Sequence, residues 1–336
     1  MGGHYRCRPD RPERRRLEFR GVRKQGHPVP VKALVIGAAG FVGHHLVAHL
    51  DECGDDVATT DRADGGPDLL DGPSLAQMVS AERPEVVFHL AGQADVRHSW
   101  DDPLGTLRTN VEGTLNVLTA ARVAGVDRVV TVTSADVYGV VAAEDLPVAE
   151  KTPMRPVSPY AASKAAADIL ALQAHLGHGQ DVVRARSFNH LGRGQSDQFV
   201  CPALAARIVA NERSGGEVVR VGNLEARRDF TDVRDVVRAY RMLAIDGQAG
   251  MAYNVCSGRA VAIGEVADRL LSMADHPMRM EADPSLLRPV DIPELRGDAS
   301  LLQAATGWVP VHDLDDTLAE VLDDWRGRLG GHLAAD

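Results

Sequence analysis

Residues 33–46 read ALVIGAAGFVGHHL, and the order of residue types in that stretch decides the fold. Ala33, Leu34, Val35 and Ile36 run without a polar interruption, as a strand covered on both faces of a parallel sheet does. Gly37, Gly40 and Gly43 then recur at three-residue spacing. That spacing supplies a tight turn, a bare backbone facing a pyrophosphate, and close packing of helix on strand. The helix opening at Phe41 and Val42 turns its free N–H groups toward the same point, where an anion can sit.

Working outward, DVATT at 56–60 predicts the next strand and ends at Asp61. A doubly wound nucleotide fold places there the carboxylate that accepts from the adenosine ribose, which favours NAD. Arg62 beside it keeps NADP open, because an Arg at that place accommodates a 2′-phosphate. Asp68 and Leu69 precede a short helix over 75–79, and Pro84 leads into a strand over 86–90. Leu90, Ala91, Gly92 and Gln93 close that strand with small groups through which backbone can approach a cofactor. Apolar residues at helical spacing predict one helix over 104–123, on which Asn110 falls. Residues 129–132 predict a buried strand ending in Thr133, Ser134, Ala135 and Asp136.

Strands alternating with helices of this length predict an α/β fold: a doubly wound parallel sheet with a smaller C-terminal substrate-binding lobe. The expected division is a basic leader over 1–30, a dinucleotide domain over 31–186, and a mainly substrate-binding lobe over 187–330 with segments returning to the first. In the second half the pattern predicts strands over 181–186, 218–221 and 253–255. Helices are expected over 203–210, 233–243, 263–273 and 314–329.

A second motif carries the chemistry. In Ser158-Pro159-Tyr160-Ala161-Ala162-Ser163-Lys164, Pro159 suits a first helical turn and the alanine-rich run continues it. Tyr160 and Lys164 then share one face. A chance pair at that spacing is expected only about 0.06 times in a chain of this composition. A phenol is a slow base at neutral pH, and a nearby ammonium is expected to draw its pKa toward the working range. Ser134, at a strand end, would hydrogen-bond the same substrate oxygen.

Together Gly37, Gly40, Gly43, Ser134, Val137-Tyr138-Gly139, Tyr160 and Lys164 resemble the extended short-chain dehydrogenase/reductases, across about residues 32–328. The resemblance implies NAD or NADP as cofactor, with Asn110 counted among its contacts, a nucleotide-diphosphate sugar as substrate, and Tyr160, Lys164 and Ser134 as the catalytic set. It also implies a homodimer built on helices near 104–123 and 159–176. Ile36 departs from the Thr that many members carry. Phe188-Asn189-His190 with Gly192, Gly194 and Gln195 resembles the substrate loop of the GDP-mannose 4,6-dehydratase and GDP-4-keto-6-deoxymannose reductase branch. The same holds for Arg228-Asp229-Phe230, Leu287-Arg288-Pro289 and Arg296-Gly297-Asp298. Asn189, Arg228 and Arg288 are the substrate contacts this implies, and Arg suits phosphate through its planar fork.

Asp136 bears on the reaction. The dehydratases hold a Glu there that removes a carbon-bound proton, and Asp is one methylene shorter, which at catalytic distances matters. The expectation is therefore a reductase acting on the C4 ketone of a GDP-4-keto-6-deoxyhexose. A nucleotide-sugar 4-epimerase is the alternative, then a 4,6-dehydratase. A cofactor-binding protein without turnover is the remaining alternative, but such proteins typically lose the Tyr or the Lys.

Composition narrows the partners. The net charge of −10 divides into +7 over residues 1–32, with eight Arg and two Lys against Asp10, Glu13 and Glu18, and −17 over the rest. An acidic body argues against nucleic acid. No apolar run approaches a membrane span, and the leader has no apolar stretch after its arginines, so neither a membrane nor a secretory signal is expected. Cys7, Cys53, Cys201 and Cys256 are scattered. Neither a disulfide framework nor a metal site is expected, and the expected compartment is the cytoplasm.

Overall fold

A computed structural model describes residues 30–287 and 290–331. The basic leader, and Arg288 with Pro289, lie outside the described residues.

In the first half, strands and helices alternate: β1 (Lys32–Ile36), α1 (Phe41–Glu52), β2 (Asp56–Thr60), α2 (Gly72–Glu82), β3 (Val86–His89), α3 (His98–Asp101), α4 (Pro103–Leu107), α5 (Gly113–Ala124), β4 (Arg128–Ser134), α6 (Pro159–His178) and β5 (Val182–Ser187). The second half is less regular. It holds β6 (Asn189–Leu191), α7 (Val200–Ser214), β7 (Val218–Val221), β8 (Arg227–Asp232), α8 (Val233–Asp246) and β9 (Ala252–Val255). β10 (Ala260–Ala262), α9 (Ile263–Ser272), β11 (Arg279–Ala282), β12 (Glu294–Leu295), α10 (Ser300–Thr306) and α11 (Leu314–Gly331) complete it.

A six-stranded sheet runs β2-β1-β3-β4-β5-β9, and its pairings are parallel. Its central strands are buried because helices cover both faces. On one face α1 and α8 pack with Leu46, Leu50, Tyr240, Leu243 and Trp308. On the other, α2, α5 and α6 bury Leu75, Val79, Val117, Leu118 and Ala171. The strand order reverses between β1 and β3, so a crevice opens at their carboxyl ends. Ser134 ends β4 on the same carboxyl-end side of the sheet.

The long helix expected over 104–123 is interrupted. Residues 108–112 form a π-helical turn between α4 and α5, centred on the buried Asn110. At this wide turn the Asn110 amide bonds outward, accepting from Gln93 N–H and donating to the Gln93 carbonyl and to Ser163 Oγ. Such turns cluster at functional sites.

α6 begins where the sequence places its start signals. Ser158 caps the first turn, accepting from Ala161 N–H at 3.1 Å, and Pro159 occupies the first helical position. Gly179 ends the helix in the left-handed conformation at φ 64°.

A second core joins α7, α9, α11 and β7 through Leu204, Ile208, Val266, Leu270, Leu318 and Leu322. Between the two cores lies a small cluster that includes Val137, Tyr138, Val148, Phe188 and Leu295. Asp229 of β8 gathers the turn after β9 and the segment after β12 around β8. Its carboxylate accepts from Ser257 N–H at 2.8 Å, Gly258 N–H at 3.0 Å and Gly297 N–H at 3.2 Å.

Candidate active site

Ser134 at the end of β4 and Tyr160 and Lys164 on the first turns of α6 are each 9% exposed. Lys164 Nζ donates to the Val132 carbonyl at 3.4 Å. A Cβ on Gly92 would lie 3.4 Å from that Nζ and 2.8 Å from Asn110 Oδ1, so the end of β3, the π turn and α6 converge on the ammonium. Only glycine admits this approach. Ser134 Oγ accepts from Asp136 N–H at 3.1 Å, which fixes the hydroxyl over the turn.

The expected depression of Tyr160 by Lys164 is corrected. Burial holds the phenol above its ordinary range, the Asp136 carboxylate adds to the rise, and the Ser134 hydrogen bond opposes both. Burial is the largest cause of the rise. Burial also pushes Lys164 down to about 8. At neutral pH the pair therefore stands as a neutral phenol beside an ammonium, the protonation state of an acid.

At the crevice, Gly37 has φ +97°, and a Cβ there would sit 2.6 Å from Ala91 N. A Cβ on Gly43 would meet the Gly37 carbonyl at 2.2 Å. Gly40 precedes α1 with no side-chain cap, so the first-turn N–H groups at Phe41 and Val42 stay available to an anion. Asp61 ties this turn to β2, accepting from Ala39 N–H at 3.3 Å and Ala63 N–H at 2.9 Å. Arg62, largely exposed, pairs with Asp68 at 3.2 Å. Leu69 packs on Gly113 and offers its carbonyl to Asn116 at 2.8 Å. Leu90 and Ala91 both donate their N–H to the Ile36 carbonyl at 2.9 Å, drawing β3 against β1. Gln93 Oε1 is buried without a hydrogen-bond partner. An uncapped helix start, a crevice that a Cβ would fill and an unpartnered amide oxygen together fit a dinucleotide.

The substrate candidates lie farther along the same edge. Asn189 is half-buried on β6, and the neighbouring His190 ring stacks on Phe41 with centroids 6.2 Å apart. β6 thus touches the start of α1. Arg228 on β8 pairs with Asp291 at 2.8 Å and donates to the Ile292 carbonyl at 2.6 Å. Arg288 lies outside the described residues.

Residues 33–256 match the NAD dependent epimerase/dehydratase family. The chain belongs to that family. It is 39% identical to the GDP-6-deoxy-D-mannose reductase of Pseudomonas aeruginosa over 301 residues, which is 89% of this chain and 98% of the relative. Among solved structures it resembles RMD from Pseudomonas aeruginosa complexed with NADPH, with a TM-score of 0.81 and 38% identity over 88% of this chain and 99% of that one. It also resembles the Thermus thermophilus UDP-glucose 4-epimerase in complex with NAD, with a TM-score of 0.79 and 29% identity over 88% and 99%. As an epimerase/dehydratase family enzyme the chain takes NAD or NADP, in agreement with the crevice.

Sequence reasoning missed much of what stands behind the site in this family member. Asp168, one turn beyond Lys164, is fully buried and bonds Arg186 at 2.9 Å and also Arg184. Arg186 reaches the Tyr138 hydroxyl at 3.0 Å, and that hydroxyl donates to Asn254 Oδ1 at 2.7 Å. The available signal was a carboxylate at the same helical spacing from Lys164 as Lys164 has from Tyr160. His89 and Thr114, bonded to each other at 3.0 Å behind Asn110, were hidden in runs that read only as strand and helix.

Proposed function

We propose that the enzyme reduces the C4 ketone of a GDP-4-keto-6-deoxyhexose. The observation that carries this reading is the neutral Tyr160 phenol held beside Ser134, with Asp136 in place of a longer acid. When bound in the crevice, NAD(P)H supplies the hydride. Ser134 and Tyr160 hold the ketone oxygen, and Tyr160 gives it a proton as C4 is reduced. The Lys164 ammonium stabilises the phenolate that remains and is positioned to hold the nicotinamide ribose. Asn189, Arg228 and Arg288 are assigned to the sugar diphosphate and nucleoside. The 39% identity to a GDP-6-deoxy-D-mannose reductase supports the same substrate class.

The reading includes a homodimer. Leu104, Leu107, Leu115, Val123, Ile169 and Leu176 are exposed on α4, α5 and α6, where the resemblance sets the partner. It also includes the cytoplasm, supported by buried free thiols at Cys201 and Cys256. Among the described residues no helix is long and apolar enough to cross a membrane.

The test is mass spectrometry of products from purified protein with NADPH or NADH and GDP-4-keto-6-deoxymannose, beside GDP- and UDP-sugars with NAD. A gain of two hydrogens on the keto-sugar supports the reductase. An isomer of unchanged mass from a plain nucleotide sugar makes it an epimerase instead.

A further inference from the structure

Two hydroxyls, each with one proton, fix the direction of a buried hydrogen-bond chain behind Lys164. Thr114 donates its proton to the Asn110 carbonyl at 2.7 Å, so its oxygen must accept from His89 Nε2 at 3.0 Å. Ser163 likewise donates to the Tyr160 carbonyl at 2.7 Å and accepts from Asn110 Nδ2 at 2.8 Å. Asn110 Nδ2 also reaches the Gln93 carbonyl at 3.0 Å, and Asn110 Oδ1 takes the Gln93 N–H at 2.8 Å. No member can flip without losing a bond.

The His89 ring therefore carries its proton on Nε2. Its Nδ1 is buried and has no partner among the described residues. Burial, aided by the Lys164 charge, pushes the imidazole down to about 3, so it remains neutral throughout the working range. A charged ring there would repel the catalytic ammonium.

We propose that His89 is a positioning residue of the active site: its Nε2–H, relayed by Thr114, sets the π turn at Asn110. That turn in turn places the backbone of Gly92 and Gln93 at the cofactor crevice and, through Ser163, the face of α6 that bears Lys164. The Thr114 bond back to Asn110 has the form that bends helices, and the histidine holds that hydroxyl in its orientation. The inference rests on the dinucleotide crevice and not on which sugar is reduced.

Two measurements test it. In long-range ¹⁵N–¹H spectra of histidine-labelled protein, one ring, absent from the His89→Gln spectrum, should show a protonated Nε2 and bare Nδ1, unchanged from about pH 5.5 to about 9. A ring that titrates in that range, or is protonated on Nδ1, overturns the proposal. In NAD(P)H fluorescence titrations, Thr114→Val and His89→Leu should weaken binding about tenfold, the scale of one lost buried hydrogen bond. Thr114→Ser and His89→Gln, which keep the bonding groups, should stay within about threefold. Equal affinity for all folded variants overturns the proposal. Should His89→Leu not fold, the Thr114→Val and Thr114→Ser pair carries the comparison. A wild-type protein that binds neither nucleotide would refute the crevice reading, and the spectra would still judge the histidine.

Discussion

Asp168 on α6 holds Arg186 of β5 at 2.9 Å and Arg184 of the same strand, one helical turn from Lys164. One buried carboxylate thereby locks the helix that carries Tyr160 and Lys164 to the sheet, and through Arg186 and Tyr138 to the turn that carries Ser134. Asp168→Ala should lower unfolding free energy by about 3–5 kcal/mol in urea titrations, because two arginines are left buried without their counter-charge. A loss below about 1 kcal/mol would mean that the arginines find other partners.

Tyr160→Phe keeps the buried ring and removes the proton. Turnover of the keto-sugar should fall about 10²–10⁴-fold with the circular dichroism spectrum unchanged. Unchanged turnover would take Tyr160 out of the mechanism.

Lys164 titrates at about 8, below its ordinary 10.5. The ammonium is lost as pH rises through that value, so kcat/KM should decline above about pH 8. Stability has the opposite sign. Between about 8 and the unfolded value near 10.4 the unfolded chain binds more protons, so this group makes the fold more stable as pH rises across that window. Comparing thermal midpoints of wild type and Lys164→Met at several pH values isolates the contribution. The difference between them should shift in favour of wild type with pH, and a constant difference would contradict the burial of this lysine.

Arg62 follows Asp61, the carboxylate proposed to accept from the cofactor's ribose, and among the described residues it makes an exposed pair with Asp68. Arg62→Ala should raise the KM for NADPH about tenfold and leave that for NADH within about twofold, since an exposed pair contributes little by itself. Equal effects on both cofactors would exclude a phosphate role for Arg62.

The legible parts of the chain were those where one physical demand acts alone. Buried parallel strands need unbroken apolar runs, and β1 and β4 lie over the runs that predicted them, 33–36 and 129–132. The glycine turn needs bare backbone, and Gly37 meets Ala91 there. β8 was not legible, because its residues Arg227 to Asp232 are mostly polar and keep their place by side-chain bonds such as those of Asp229. The π turn at Asn110 was hidden for a similar reason: apolar periodicity reports which face is buried, not which carbonyl a distant threonine or histidine engages. The sign of the Tyr160 shift escaped because spacing along a helix says nothing about the water excluded around it.

The strand that completes the main sheet, β9, begins at Ala252, well after β5 ends at Ser187. On the ribosome, β5 must therefore wait as a raw edge while the next 64 residues are made, several seconds at about 5–20 residues per second. During that interval the nascent chain presents a sticky β-edge, rich in Val and Arg, that neighbouring chains can template upon. A host short of chaperones should yield insoluble material from this gene even where the finished enzyme is robust.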